Sequence, residues 1–386
     1  MPCLLPALLH LRMRSLKANH FCRFAQRWVQ LPGGIMATPD DTAPNALPDS
    51  GAERPTLKTI AAATGLAIAT VSRALKDAPD IGEETKRRVR ETAASLGYRP
   101  NRAGVRLRTG KTNVIALVLS AETEMMNHTA QLIYSIAAGL RGSAYHLVVM
   151  PFFAEEDPMS PIRYLVETGS ADGIVFNQTI PDDPRARYMF ERGFPFATHG
   201  RTSSEIAHPY FDYDNEAYAD IAVRELVRRG RKRLLLIAPP REHNYSRHMV
   251  AGFEAACVQQ GVTGEIMQDI TSDSGSDRIE RATAVLLANA VRPDGVISAS
   301  PTAAIGCVNG AESVGLRAGV EFDIVAKEAV RFLQNFRREI IVMHEDVGRA
   351  GHFIAQAVMA AIDRKAPAEG QCLEFPAAIH IEGQST

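Results

Sequence analysis

Arg73 lies within a few residues of Ile68, Ala69, Thr70 and Ser72, a set of side chains suited to reading a base pair. A guanidinium fork fits a guanine edge, small apolar groups touch thymine methyls, and short hydroxyls reach phosphates. Val71 and Leu75, four apart, would face a core and leave Ile68, Ala69, Ser72 and Arg73 on the opposite side of one helix. A second set is Asn101, Arg102, Gly104 and Leu107, where an apolar side chain stands among Arg102, Arg106 and Arg108. Such a leucine could be inserted between base pairs while the arginines hold phosphates. A third set, Asn127, His128, Asn177, Gln178, Arg201 and Arg247, offers neutral amides and planar cations of the kind that hydrogen-bond vicinal hydroxyls. Taken singly, His128 and His199 read as satisfied structural histidines rather than ligands.

Those residues need elements to position them. Thr56 is placed to cap a first helix over Leu57 to Thr64, Gly65-Leu66 makes a turn, and a second helix runs from about Ile68 to Leu75. A third helix, about Glu83 to Leu96, sets Val89, Ala93 and Leu96 at core spacing with Lys86, Arg87 and Arg90 outside, and Gly97 stops it. Pro100-Asn101 breaks the chain. Arg102 to Arg108 could then form two helical turns capped by Asn101, too short to be stable in water and expected to form only on DNA.

From Asn113 the texture changes to apolar runs alternating with amphipathic segments, as in Val114 to Leu119 followed by Leu132, Ile136 and Leu140. Alternation of this kind predicts doubly wound parallel sheets, and it recurs from Arg233 onward. Ligands in such sheets sit beyond the carboxyl ends of the strands. That rule puts 122–128, Asn177-Gln178, His199 to Arg201 and Arg241 to Arg247 around a cleft.

Charge is unevenly distributed. Between Pro55 and Lys111 there are twelve basic and five acidic residues, an excess of seven in a chain whose net charge is −1, so the remainder carries about −8. A positive module on an acidic body is the footprint of a nucleic-acid binder. The 386 residues allow two or three domains, and 46% hydrophobic with 23% charged residues fits a globular chain. Cys3, Cys22, Cys257, Cys307 and Cys372 form no Cys-x-x-Cys pair, which argues against a disulfide framework or a zinc site and fits the cytoplasm. No apolar run approaches the ~18 residues of a membrane span. Met1 to Leu9 is apolar but lacks a basic segment before it and a small-residue cleavage site after it. Residues 1–54 are expected to be a disordered extension, with Met36 a plausible start. No Gly-x-Ser-x-Gly, phosphate loop or metal cluster points to catalysis, so neither an enzyme nor a cofactor is expected.

Leu57 to Ala61, Ala69-Thr-Val-Ser-Arg-Ala-Leu75, Thr85-Lys-Arg-Arg-Val89 and Leu96-Gly-Tyr-Arg-Pro-Asn-Arg102 together closely resemble the LacI/GalR family of bacterial transcriptional regulators. The resemblance implies an N-terminal all-α helix-turn-helix of the lambda-repressor-like kind, followed by an α/β, two-lobed, periplasmic-binding-protein-like effector domain. It assigns 55–100 to DNA binding, 101–112 to a hinge, and 113–386 to effector binding and dimerisation. It also makes Ile68, Ala69 and Arg73 the base readers and Leu107 the minor-groove lever, in a homodimer on a near-palindromic operator. Ala67 departs from the serine usual there, at a cost of about 1 kcal/mol in local stability. Met249, Pro301 and Ala326-Lys327-Glu328 depart from the family's ligand-facing residues, which leaves the second-lobe contacts open. Asn127 to Ala130, Gly169 to Gly173 and Phe194 to Arg201 are most similar to regulators of α-glucoside uptake. Two other readings stay open: a DNA-binding regulator whose body meets a protein partner, and a sugar-binding protein with an incidental helical head.

Overall fold

A computed structural model describes residues 55–99, 110–120, 126–153, 155–366 and 370–377. Asn101, Arg102, Gly104 and Leu107 lie outside the described residues, as does the side chain of Asn127. The chain divides into two units, one ending at Tyr98 and one starting at Arg99.

The first unit is a three-helix head. Helix α1 (Leu57–Thr64) begins at Thr56, whose hydroxyl accepts from the Thr59 amide while Thr59 reciprocates toward the Thr56 amide. Gly65, at φ +69°, ends it in the left-handed region where a side chain is disfavoured. Helix α2 (Ile68–Ala74) starts at Ala67 with no side-chain cap. Helix α3 (Glu83–Ser95) follows a short loop. Ile60, Ala61, Val71, Ala74, Val89 and Ala93 make the core where the three apolar stripes meet. The Arg88 guanidinium donates to the Thr64 carbonyl at 2.6 Å and so satisfies an orphan group at the end of α1. Lys86 corrects the expectation of an outward basic face. It is only 6% exposed, its stem lies against the head, and its ammonium turns back to Glu83 at 2.7 Å and Asp77 at 3.6 Å.

The second unit holds two wholly parallel sheets. The first has the order β11-β5-β4-β3-β1-β2, comprising β1 (Val114–Ser120), β2 (His146–Phe152), β3 (Gly173–Phe176), β4 (Phe196–His199), β5 (Tyr210–Tyr213) and β11 (Gln371–Glu374). The other has the order β10-β9-β8-β6-β7, comprising β6 (Arg233–Ile237), β7 (Thr263–Ile266), β8 (Gly295–Ser298), β9 (Asp323–Glu328) and β10 (Ile341–His344). Strand side chains alternate between faces, so β1 sends Ile115, Leu117 and Leu119 to one helical layer and Ala116 and Val118 to the other. In β6, Leu234 and Leu236 face one core, and Leu235 and Ile237 the other.

The chain passes between the lobes at two described places. After β5 the helix Asn215–Arg228, capped by Asp214, packs into the second lobe. After β10 the helix Val347–Ile362 returns to the first, placing Ile354, Ala355 and Val358 beside Leu132 and Ile136 of the helix Met126–Gly139. Gly252, on the helix Asn244–Gln260, is where that helix crosses the Asn215–Arg228 helix. A Cβ there would collide with the Glu216 backbone. Among the described residues no helix is long and apolar enough to cross a membrane.

Candidate DNA-reading face and effector cavity

On the head, α2 turns Val71 and Ala74 inward and leaves the other side open. Ile68 is 48% exposed, Ala69, Arg73 and Thr56 are exposed, and Thr70 and Ser72 are half-buried. A large aliphatic group and a guanidinium thus share one face of a seven-residue helix. The surrounding charge is internally matched. Arg73 pairs with Asp80, Arg90 with Asp77, and Arg87 with Glu84 and Glu91. Exposed pairs of this kind are weak, so phosphates can displace the carboxylates at little cost.

Within the second unit a cavity of about 330 Å³ lies between the two sheets. It is built where strands end, as expected for open α/β sheets. Asn177 and Gln178 follow β3, His199 closes β4, Lys327 and Glu328 end β9, and Glu345 follows β10. Tyr245, Ser272, Ser300 and Phe332 come from the second lobe. Gln178 has φ +50°, a strained backbone for a side-chain-bearing residue. Its carbonyl accepts from Arg185 at 2.9 Å, and that guanidinium is fixed by fully buried Asp183 at 2.7 Å.

The cavity carries polar groups that have no hydrogen-bond partner among the described residues. These are Asn177 Oδ1, the Tyr213 hydroxyl, His128 Nδ1 and His199 Nε2. Each such buried group costs about 1–3 kcal/mol unless something pairs with it, which marks the surface as one shaped for a polar ligand. Burial, reinforced by His128, pushes His199 down to about 3, so it is a neutral imidazole. Burial also lifts Asp212 to about 7 against the opposing Arg201 guanidinium, whose Nε is 3.2 Å away. Burial would raise Glu345, but Lys327 at 2.9 Å and the two histidines outweigh it and hold the carboxyl well below its usual range.

The structure therefore brings His128, Asn177 and Gln178 together at the cavity. Arg201 and Arg247 are not among its lining residues. Arg201 holds Asp212 and contacts His248 at 3.3 Å, whereas Arg247 is exposed on the side of its helix away from buried Ser246, Met249 and Phe253. His199 is not the satisfied structural histidine expected from the sequence, since its Nε2 has no hydrogen-bond partner among the described residues. Residues the sequence reading did not single out are Asp212, Tyr213 and Glu345, while Lys327 entered it only as a departure from the family's ligand-facing residues. Only the strand-end rule, applied to β5, β9 and β10, could have found them.

Comparison with known proteins accounts for both units. Residues 56–101 match the family model described as bacterial regulatory proteins, lacI family, and residues 223–386 match a periplasmic binding protein-like domain. The chain belongs to the LacI family. It is a DNA-binding transcriptional regulator, with a helix-turn-helix head and a two-lobed α/β body. Among relatives of this LacI-family chain, the HTH-type transcriptional regulator AglR of Rhizobium meliloti (strain 1021) is 29% identical over 312 residues, 79% of this chain and 87% of that one. RafR of Escherichia coli is 31% identical over 214 residues, covering 55% and 63%. The lac repressor dimer bound to operator and the anti-inducer ONPF superposes with a TM-score of 0.75 at 18% identity, covering 85% of this chain and 98% of that one. A CelR–cellobiose complex gives 0.61 at 20% identity, covering 84% and 98%. At those identities the solved structures establish the fold alone.

Proposed function

We propose that this regulator acts in the cytoplasm as a homodimeric repressor of a near-palindromic operator, controlled by an α-glucoside held between the lobes. Ile68, Ala69 and Arg73 read base edges, while Thr56, Thr70 and Ser72 position the backbone. Asn101, Arg102 and Gly104 shape a hinge over 101–112 whose Leu107 enters the minor groove. His128, Asn177 and Gln178 contact the sugar from the first lobe, with Asn127 beside them. The observation that carries the effector reading is the set of unpartnered polar atoms in the cavity, an amide oxygen, a phenol and the Nδ1 of His128. A polyhydroxylated ligand supplies the missing donors and acceptors together. A structural neighbour supports a sugar of some kind. CelR, 20% identical to this chain, is seen in complex with cellobiose, a disaccharide rich in hydroxyls.

The test is a fluorescence titration against DNA from the gene's own upstream region, at two salt concentrations, with and without a panel of α-glucosides. Salt-dependent, sequence-selective binding that one sugar alters is the expected result. Selective binding indifferent to every sugar overturns the effector half, and binding without selectivity overturns the operator half. Leu107→Ala should lose specific affinity and keep salt-sensitive non-specific binding. Equal loss of both removes the lever role.

A further inference from the structure

Three ligating side chains that are far apart in the chain meet in the wall of the cavity. His128, His199 and Glu345 each offer one donor atom, and the three atoms lie within 4.8 Å of one another. His128 Nε2 stands 3.6 Å and His199 Nε2 3.8 Å from Glu345 Oε1, both too long for hydrogen bonds. The imidazole centroids are 5.2 Å apart with planes inclined at 55°, so the rings converge without stacking. Neighbouring donors on a tetrahedral zinc, with bonds near 2.0–2.1 Å, stand about 3.4 Å apart. The two carboxylate edges of this triangle need only close by a few tenths of an ångström, and the imidazole edge by somewhat more.

The surroundings offer an ion one carboxylate, shared with the Lys327 ammonium. Glu345 is 4% exposed, so its charge is shielded from water. Its Oε2 is held by Lys327 at 2.9 Å, which leaves Oε1 turned to the imidazoles. His199 Nε2 is buried without a hydrogen-bond partner, which is costly for an imidazole nitrogen unless something else engages it.

We propose that His128, His199 and Glu345 form a site for a divalent transition cation of the zinc type, with a fourth coordination position open to the cavity. Two imidazoles and one carboxylate are donors of the hardness that zinc, cobalt and nickel accept, and three protein ligands leave a place for water or a ligand oxygen. The two histidines belong to the first lobe, while Glu345 lies on the segment that joins the lobes and is tied to Lys327 of the second. An ion there fixes one lobe against the crossing segment and favours a particular lobe arrangement. This goes beyond the effector reading and does not rest on it, because cation binding needs neither sugar nor DNA.

The experiment adds cobalt(II) to the full-length, chelator-treated, tag-free chain and follows its visible absorption, then displaces it with zinc. The expected result is saturation at one equivalent per chain with the intense bands of a four-coordinate ion. Affinity should fall at least tenfold in both His199→Gln and Glu345→Gln, each checked for folding by thermal melting. His128→Gln should behave alike and stands in if either fails to fold. His344→Gln, beside Glu345 but outside the set, should bind as the wild type does. Absence of a saturable band, weak bands of a six-coordinate ion, or affinity unchanged in His199→Gln overturns the site.

Discussion

Arg73 is the residue through which the head's chemistry is most sharply tested. Its guanidinium pairs with Asp80 while more than half of it remains exposed, so the carboxylate occupies the fork that a guanine or phosphate would take. Asp80→Asn should raise non-specific DNA affinity by about two- to fivefold and steepen the salt dependence, read by anisotropy at several salt concentrations. An unchanged slope would separate Arg73 from the DNA. In the body, Asp212 carries a pH signature. Its folded value of about 7 lies above the 3.8 of an ordinary aspartate, so the folded chain binds the proton more tightly. The associated stability is fully present below about pH 4 and is lost as pH rises through about 7. The melting temperature of Asp212→Asn should therefore gain on that of the wild type between pH 4 and 7 and level off above. A difference independent of pH would mean that Asp212 is not perturbed.

Among the three helices of the head, α2 is the shortest. It has seven residues, and its N-cap Ala67 supplies no side-chain oxygen. Ala67→Ser should stabilise the head by about 1 kcal/mol, seen as slower hydrogen exchange of the first α2 amides. No slowing would show that the tertiary contacts of Val71 and Ala74 already fix the helix. Much at this scale was legible in the chain. Thr56 stood three residues before Thr59, Gly65 followed α1, and the spacing of Val71 from Leu75 set which face of α2 is exposed. Lys86 was misjudged because helical phase gives the direction of a Cβ but not the path of a long stem. Arg247 stands outside the cavity lining, on the side of its helix opposite the buried Ser246, Met249 and Phe253.

For the whole molecule, the body depends on how closely the helices that build the second lobe's core can pack. Gly252 lets the helix Asn244–Gln260 touch the backbone of the first helix beyond the crossing. Gly252→Ala should destabilise the body by about 1–3 kcal/mol and leave the head's melting unchanged, measured by denaturation followed at separate probes. Equal melting of the body in the wild type and Gly252→Ala would mean that the contact yields without strain.

The sequence by itself determined the local pattern. It supplied the helix caps, the exposed reading face, the alternation that makes parallel sheets, and the strand-end positions of Asn177, Gln178 and His199. These follow from interactions within a few residues or from a periodicity of 2 or 3.6. Only the tertiary structure decided that Glu345 meets both His128 and Lys327, and that Arg201 holds Asp212 and lies outside the cavity lining. Those meetings depend on a chain that leaves the first sheet after β5, builds a second, and returns after β10. Side chains far apart in sequence then share one low-dielectric pocket, and no local spacing encodes which of them will be left without a partner.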